Sequence, residues 1–342
     1  MTEGTINITE EEIRKIIREE LAANNGLISL TQGDNVTDEG VRKIIKEELA
    51  TNNALKKHRH TPFAVYMGDG TVLTRSFYDI MYLVSSYDCT MSPHFILHGV
   101  YESELTKYFI NNLREDSVFL DVGANFGYYT CMAAKKVNAS KGGKVYSFEA
   151  NKHAFALLQK NVIMNWIDWN AVSLNLVALS DKEESVFFKN YKYRFGGSQF
   201  YMSEDSSEEI NAMEVTSVNT KKLDAFFQDG QKIDFIKIDV EGAEFKILRG
   251  AENIMKANPD VKILLEWDNS QFRSQGVSPA DFVEFLKSKK LSPYKLDWQD
   301  GSTHEVSYDY LNDTHDHLCG VLFINDPSSE NQAVSPSSRA SG

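Results

Sequence analysis

Residues 117–130 read SVFLDVGANFGYYT, and the fold turns on how that stretch changes pattern. Val118, Phe119, Leu120 and Val122 form an apolar run too continuous for a half-exposed strand, which predicts a strand buried in a parallel sheet. Gly123 ends the run. Gly123 and Gly127 flank Ala124-Asn125-Phe126, and an apolar stretch from Tyr128 to Val137 has helical character. Strand, glycine turn and helix together let a ligand approach backbone that carries no Cβ, and point free helix N–H groups at it.

Glycine spacing narrows the ligand. A dinucleotide turn needs G-x-G-x-x-G, whose middle glycine makes room for a pyrophosphate; this turn is G-x-x-x-G. Asp121, just before the first glycine, would repel a pyrophosphate and attract an ammonium. S-adenosylmethionine, with an α-ammonium and a sulfonium but no phosphate, suits such a turn. The next strand ends in SFEAN (147–151), where Glu149, with Ala150 beside it, can accept both ribose hydroxyls. Dehydrogenases share that feature, so it supports a nucleoside without choosing one. Ala178 and Leu179, in ALSD (178–181), either pack on the adenine or close an ordinary strand. The expected cofactor contacts are therefore Asp121, Gly123, Asn125 and Gly127 at the methionine end, Glu149 and Ala150 at the ribose, and Ala178 and Leu179 at the base.

From Ser117 onward strands and helices alternate. Strands are predicted at 117–123, 144–150, 172–179, 234–240, 261–267, 292–298 and 317–325, with helices at 126–137, 152–166, 245–257 and 279–290. This is an α/β doubly wound sheet. The last two strands are joined by Gln299 to Asp316, too short of helix for a crossover, so the final strand is predicted to run antiparallel at the sheet edge. An insertion, Lys182 to Val218, interrupts the pattern near the carboxyl edge, where ligands bind in such sheets. Ahead of the sheet, Phe63 to Met67 and Thr71 to Arg75 flank Gly68-Asp69-Gly70 as a hairpin. Phe77 to Tyr87 has no decisive pattern, and Ser103 to Leu113 is predicted helical.

Candidate chemistry collects after the fourth strand, in DFIKIDVEGAE (234–244). Phe235, Lys237, Asp239 and Glu241 share one side for as long as the strand stays extended. A lysine in a central strand needs a carboxylate or must lose its proton, so Lys237 is either paired with Glu266, in ILLEW (263–267), or aimed at substrate. Asp239 and Glu241 are the first candidates for removing an acceptor proton, with Glu244 and Glu266 next. A divalent metal held by these carboxylates is a less favoured alternative.

The remainder sets limits. The chain has 342 residues and a net charge of -13, which opposes nucleic-acid and anionic-membrane partners. Cys89, Cys131 and Cys319 show no metal spacing, and neither a leader nor a membrane-length apolar run is evident; reduced thiols and a cytoplasmic location are expected. Ile8 to Asn25 recurs as Val36 to Asn53, each copy a helix with one apolar stripe (Ile13, Ile16, Ile17, Leu21; Val41, Ile44, Ile45, Leu49). Such short helices need something to pack on, either their own domain or further copies, so residues 8–53 are a candidate homo-oligomer surface.

FLDVGANFGYYT, SFEAN, ALSD, GGSQF, DFIKIDVEGAEFKILRGA and ILLEW, in that order and with GVYE (99–102) ahead of them, resemble the FkbM-type methyltransferases. The resemblance runs from about Gly99 to Asp326. It implies a class I methyltransferase (Rossmann-like) fold, S-adenosylmethionine as cofactor, and O-methyl transfer to a hydroxyl of a small-molecule or glycan acceptor: a sugar, a glycan or a secondary metabolite. The expected division is a helical repeat at 1–57, a lead-in at 58–113, the methyltransferase domain at 114–326 and a disordered tail at 327–342. A nicotinamide oxidoreductase and a non-catalytic cofactor-binding scaffold are the alternative readings.

Overall fold

A computed structural model describes residues 63–191, 194–201, 213–297, 301–315 and 317–325. The repeat at 8–53 and the tail at 327–342 lie outside them. The described residues begin with an antiparallel sheet, β1 (Ala64–Tyr66), β2 (Thr71–Arg75) and β3 (Met81–Ser85). The expected hairpin is β1–β2, and β3 comes from the aromatic stretch without decisive pattern; Tyr82, Val84 and Ser85 are its buried residues. Helices α1 (Met91–His98) and α2 (Ser103–Asn112) follow.

The main sheet then begins with β4 (Val118–Val122), α3 (Tyr128–Ala134), β5 (Lys144–Glu149), α4 (Lys152–Met164) and β6 (Val172–Leu176). A second sheet intervenes, built from β7 (Ala178–Leu179), β8 (Ser185–Tyr191), β9 (Arg194–Tyr201) and β10 (Met213–Lys221) in the order β7-β10-β8-β9. The predicted strand 172–179 is thus two strands in two sheets, parting at Val177, and the described residues of the insertion are largely β structure. The main sheet resumes with β11 (Phe235–Ile238), α5 (Glu244–Arg249), α6 (Glu252–Ala257), β12 (Lys262–Trp267), α7 (Asn269–Ser274), α8 (Pro279–Ser288), β13 (Leu291–Leu296), β14 (Thr303–Glu305), α9 (Tyr308–Asp313) and β15 (Leu318–Asn325). The single helix expected over 245–257 is two, because the Asp224 carboxylate takes the amides of Asn253 and Ile254 and starts α6 anew.

Main-sheet order is β14-β13-β15-β12-β11-β4-β5-β6, a class I methyltransferase-like mixed sheet. β6, β5, β4, β11 and β12 run parallel, and β15 is antiparallel to both β12 and β13. The final strand is antiparallel as expected, but it is inserted between β12 and β13 and does not form the edge. Its Val321, Leu322 and Phe323 are all buried, which calls for a neighbour on both sides. The outer place falls to short, exposed β14 beside β13, whose Pro293 cannot donate to a ladder.

Alternation along β4 divides the core. Val118, Leu120 and Val122 enter one apolar cluster with residues of α5, α6 and α8, while Phe119 enters another with residues of α2, α3 and α4. Asp121 follows Phe119 onto that second face. On β11 Phe235 does the same, so Lys237 follows it, and Lys237 stands in register beside Asp121. The lead-in sheet is tied to α4 by side-chain amides: Asn161 bonds both backbone groups of Leu83, and Asn165 those of Met81.

Candidate active site

The turn after β4 is held from β5. Gly123 and Ala124 donate their amides to the Phe148 carbonyl, and Asn125, at φ 49°, donates its amide to Oε2 of Glu149 at 2.7 Å. Oε1 of Glu149 takes the Asn151 amide at 2.7 Å, and Asn151 caps α4 through His153 and Ala154. Glu149 is thereby aimed before any ligand arrives. Burial pushes its carboxyl up to about 7, with the amides of Asn151 and Asn125 pulling the other way.

Both glycines are required by close packing. A Cβ on Gly123 (φ +79°) would stand 1.8 Å from the Asp239 carbonyl oxygen, so this residue lets the ends of β4 and β11 meet. A Cβ on Gly127 (φ +90°) would stand 2.4 Å from Cδ1 of Leu158 on α4.

A cleft of about 930 Å³, part of it open solvent, lies at the carboxyl ends of β4, β5, β11 and β12. Of the residues singled out from sequence, Gly123, Asn125, Glu149, Ala150, Ala178, Leu179, Lys237, Asp239 and Glu241 all line it. Asp121 and Gly127 do not. Asp121 sits behind the lining, its Oδ2 bonded to the Thr130 hydroxyl at 2.5 Å and its Oδ1 buried without a partner. Burial raises its carboxyl, and Lys237 counters.

At the other end of the cleft the pairing differs from the one expected. Lys237, only 4% exposed, reaches Oδ2 of Asp239 at 2.8 Å and lies 4.9 Å from the Tyr129 ring centre; Glu266 is not its partner. Burial alone would depress the lysine, but Asp239, Glu102 and Asp121 outweigh it and hold the ammonium above its ordinary range. Burial would likewise raise Asp239, and Lys237 reverses this, keeping the carboxyl below its ordinary value. Glu266 instead meets Nε2 of His317 at 3.1 Å. It stands opposite a β-bulge in β15, where Cys319 and Gly320 both fall between the pairs Leu265–Val321 and Trp267–Leu318, a feature found next to functional sites, where it re-aims side chains. Burial, followed by the charges of Asp239 and Glu241, raises Glu266 well above the carboxylate range.

Glu241 also departs from the expected alternation. β11 ends at Ile238 and Glu241 has φ 55°, so a turn, not the strand, sets its direction, and Gln271 Nε2 donates to it at 2.7 Å. Glu244 holds that turn through the amides of Val240 and Gly242.

Three members of the site carried little or no local signal. Glu102, at φ 42°, accepts the Tyr129 hydroxyl at 2.7 Å and faces Lys237; burial pushes it up to about 8, with Lys237 opposing. It stands in the GVYE tetrapeptide but in a conformation that sequence pattern does not announce. Tyr129 lay inside an apolar run, and His317 beside the last strand had no motif. Among the described residues no three His, Cys, Asp or Glu side chains are placed to hold a metal ion.

The lining is a test of which cofactor fits. It carries the carboxyls of Glu149, Asp239, Glu241 and Glu266, with burial favouring the neutral forms of Glu149 and Glu266, and one cation, Lys237, whose ammonium is engaged by Asp239. Oδ1 of Asn125 is a buried acceptor that lacks a donor. Such a lining offers a pyrophosphate no free cation and suits a ligand bringing positive charge and N–H or O–H donors, as S-adenosylmethionine does.

Sheet order and cleft define a Rossmann-like methyltransferase, and comparison with known proteins agrees. The Methyltransferase FkbM domain matches residues 121–292, half of the chain. The protein belongs to this family and is an S-adenosylmethionine-dependent methyltransferase. It is 25% identical over 193 residues to the hexuronic acid methyltransferase AglP of Haloferax volcanii, covering 56% of this chain and 70% of that one. It is 24% identical over 155 residues to Methyltransferase 1 of Beauveria bassiana, covering 41% and 60%. Among solved structures, a methyltransferase FkbM from Methylobacillus flagellatus KT is similar at 14% identity and a TM-score of 0.38, covering 61% of this chain and 44% of that one. TYW2 of M. jannaschii in complex with AdoMet is similar at 14% and 0.39, covering 76% and 86%.

Proposed function

We propose that this chain methylates a hydroxyl group of a sugar or sugar-bearing acceptor. When bound, S-adenosylmethionine supplies an electrophilic methyl group and leaves as a thioether. In this reading Glu149 receives the ribose hydroxyls, Ala178 and Leu179 flank the base, and Asn125 with the 123–127 turn receives the methionine end. Asp121 contributes its charge from behind the lining.

The observation that carries the reading is Asp239, a carboxylate kept ionised by Lys237 and lining the cleft at the end remote in the sheet from Glu149. An ionised carboxylate there can take the proton of an incoming hydroxyl, a contribution of roughly 10²–10⁴ in rate. Holding the hydroxyl in line with the methyl group supplies several kcal/mol more. The hexuronic acid relative supports a sugar acceptor. The net charge of -13 argues against nucleic acid as substrate.

Calorimetric titration with S-adenosylhomocysteine and with NAD, followed by transfer of labelled methyl to methyl glucoside, methyl glucuronide and an amine-bearing control, tests the proposal. Binding of the homocysteine and label on a sugar hydroxyl are expected. Labelling of the amine alone, or tighter binding of NAD, would refute it.

A further inference from the structure

Beyond the cleft, Glu266 leads outward. Its Oε1 meets Nε2 of His317 at 3.1 Å, and Nδ1 of the same ring lies 3.4 Å from Oδ2 of Asp268. The His317 side chain is 44% exposed, whereas that of Glu266 is 9%. We infer that His317 conducts the proton released in each methyl transfer from the Asp239–Glu266 carboxylate pair to solvent, with Asp268 holding the ring in the required tautomer. This rests on the reading that Asp239 receives the acceptor proton.

Geometry assigns each part. Oδ1 of Asp268 is taken by the amides of Ser270 and Gln271 at the start of α7, so its Oδ2 is fixed toward the imidazole. An acceptor at Nδ1 places the ring proton there and leaves the Nε2 lone pair facing Oε1 of Glu266. Inside, Asp239 and Glu266 directly follow the registered pair Ile238–Leu265 on the neighbouring strands β11 and β12, and both line the cleft. The groups facing the pair are Lys237 on β11, Tyr101 and Glu102 before α2, Asp121 on β4, Glu241 and Glu244 around the turn after β11, His317 before β15 and Cys319 on it. One lysine among so many acids cannot keep both members of the pair ionised, so the pair holds one proton at rest.

The step balances without a further reagent. As the hydroxyl oxygen forms its bond to the methyl carbon, the electron pair of the breaking C–S bond stays with sulfur and the O–H proton passes to Asp239. The pair then holds two protons. The surplus moves from Oε1 of Glu266 to Nε2 of His317, and the imidazolium gives a proton to water, restoring the resting state. Without that outlet the surplus proton could leave only through the cleft, past Asp239, whose side chain is 26% exposed.

Methyl transfer to methyl glucuronide and methyl glucoside, measured from pH 6 to 9 for the wild type, His317→Gln and Asp239→Asn, provides the test. His317→Gln should lower kcat about tenfold or more with KM for donor and sugar unchanged, and added imidazole should restore part of the loss; Asp239→Asn should lose turnover without rescue. Wild-type kcat in His317→Gln beside an inactive Asp239→Asn overturns the relay but not the base. Wild-type kcat in Asp239→Asn removes the base assignment and the relay with it. Independently of any acceptor, the ¹⁵N spectrum of the His317 ring with S-adenosylhomocysteine bound should differ between the wild type and Asp239→Asn. Superimposable spectra overturn the coupling.

Discussion

Replacing Lys237 with methionine keeps much of the side chain's length and apolar body while removing the charge on which the acidic end of the cleft depends. Two opposite unit charges about 4 Å apart attract by about 4 kcal/mol at an effective dielectric of 20. Removing one partner of a buried pair costs about 3–5 kcal/mol, because the other charge stays behind. Lys237 is 5% exposed at its side chain but Asp239 is 26% exposed, so water recovers part of the loss and the lower figure applies. A deficit of about 3 kcal/mol is expected at pH 8, enough to lower the melting midpoint by about 6–12 °C. Its pH dependence is diagnostic. In the wild type Asp239 lies below its ordinary value, so its stabilisation is present above the unfolded pKa and lost only as pH falls through the folded one. In the variant, burial and the acids around Asp239 are unopposed and its folded pKa rises above the unfolded value. The carboxyl then disfavours folding increasingly as pH rises between the two. Urea unfolding at pH 5, 6.5 and 8 should therefore show a deficit that shrinks toward pH 5. A deficit that is constant with pH, or below about 1 kcal/mol at pH 8, would refute the account.

Two further perturbations separate ligand contacts from packing. Glu149, pushed up to about 7 by burial, accepts ribose hydroxyls best when ionised, so S-adenosylhomocysteine affinity should rise as pH passes through that value; Glu149→Gln should weaken binding about tenfold or more and flatten the profile, both read by calorimetry. Gly127→Ala, which meets Leu158, should lower the melting temperature with affinity retained below it, whereas Gly123→Ala, which meets the Asp239 carbonyl, should lose stability and affinity together; the reverse order in thermal melts and titrations would overturn these assignments.

Much of the fold is readable from sequence because strands buried on both faces are nearly continuous apolar runs. VFLDV and ILLEW need no partner to be recognised, and in the structure they are β4 and most of β12. What escapes is whatever depends on neighbours. The place of β15 follows from its burial between two strands, and nothing in LCGVLFIN distinguishes an inner from an outer position. Strand β3 and helix α1 have too few residues, and too little contrast between faces, for periodicity to declare them.

In the candidate site the legible residues and the illegible ones differ in kind. Glu149 and Asp239 stand where strands end, and strand ends in a parallel sheet face one shared edge, so local pattern finds them both. The glycine turn is also local, and both of its glycines answer to packing, Gly123 against β11 and Gly127 against α4, while Gly123 also lines the cleft. The partners of Lys237 could not be read that way. Asp121 lies beside it only because β4 and β11 are neighbours in a particular register, Glu102 reaches it only through a left-handed turn, and Glu266 is drawn to His317 by a one-residue bulge. Cleft location is therefore a property of the strand pattern, whereas the protonation state of its acids is a property of register, turn and bulge. Homologues with the same motifs but another residue at position 102, 266 or 317 should share the cofactor and differ in how they handle the proton.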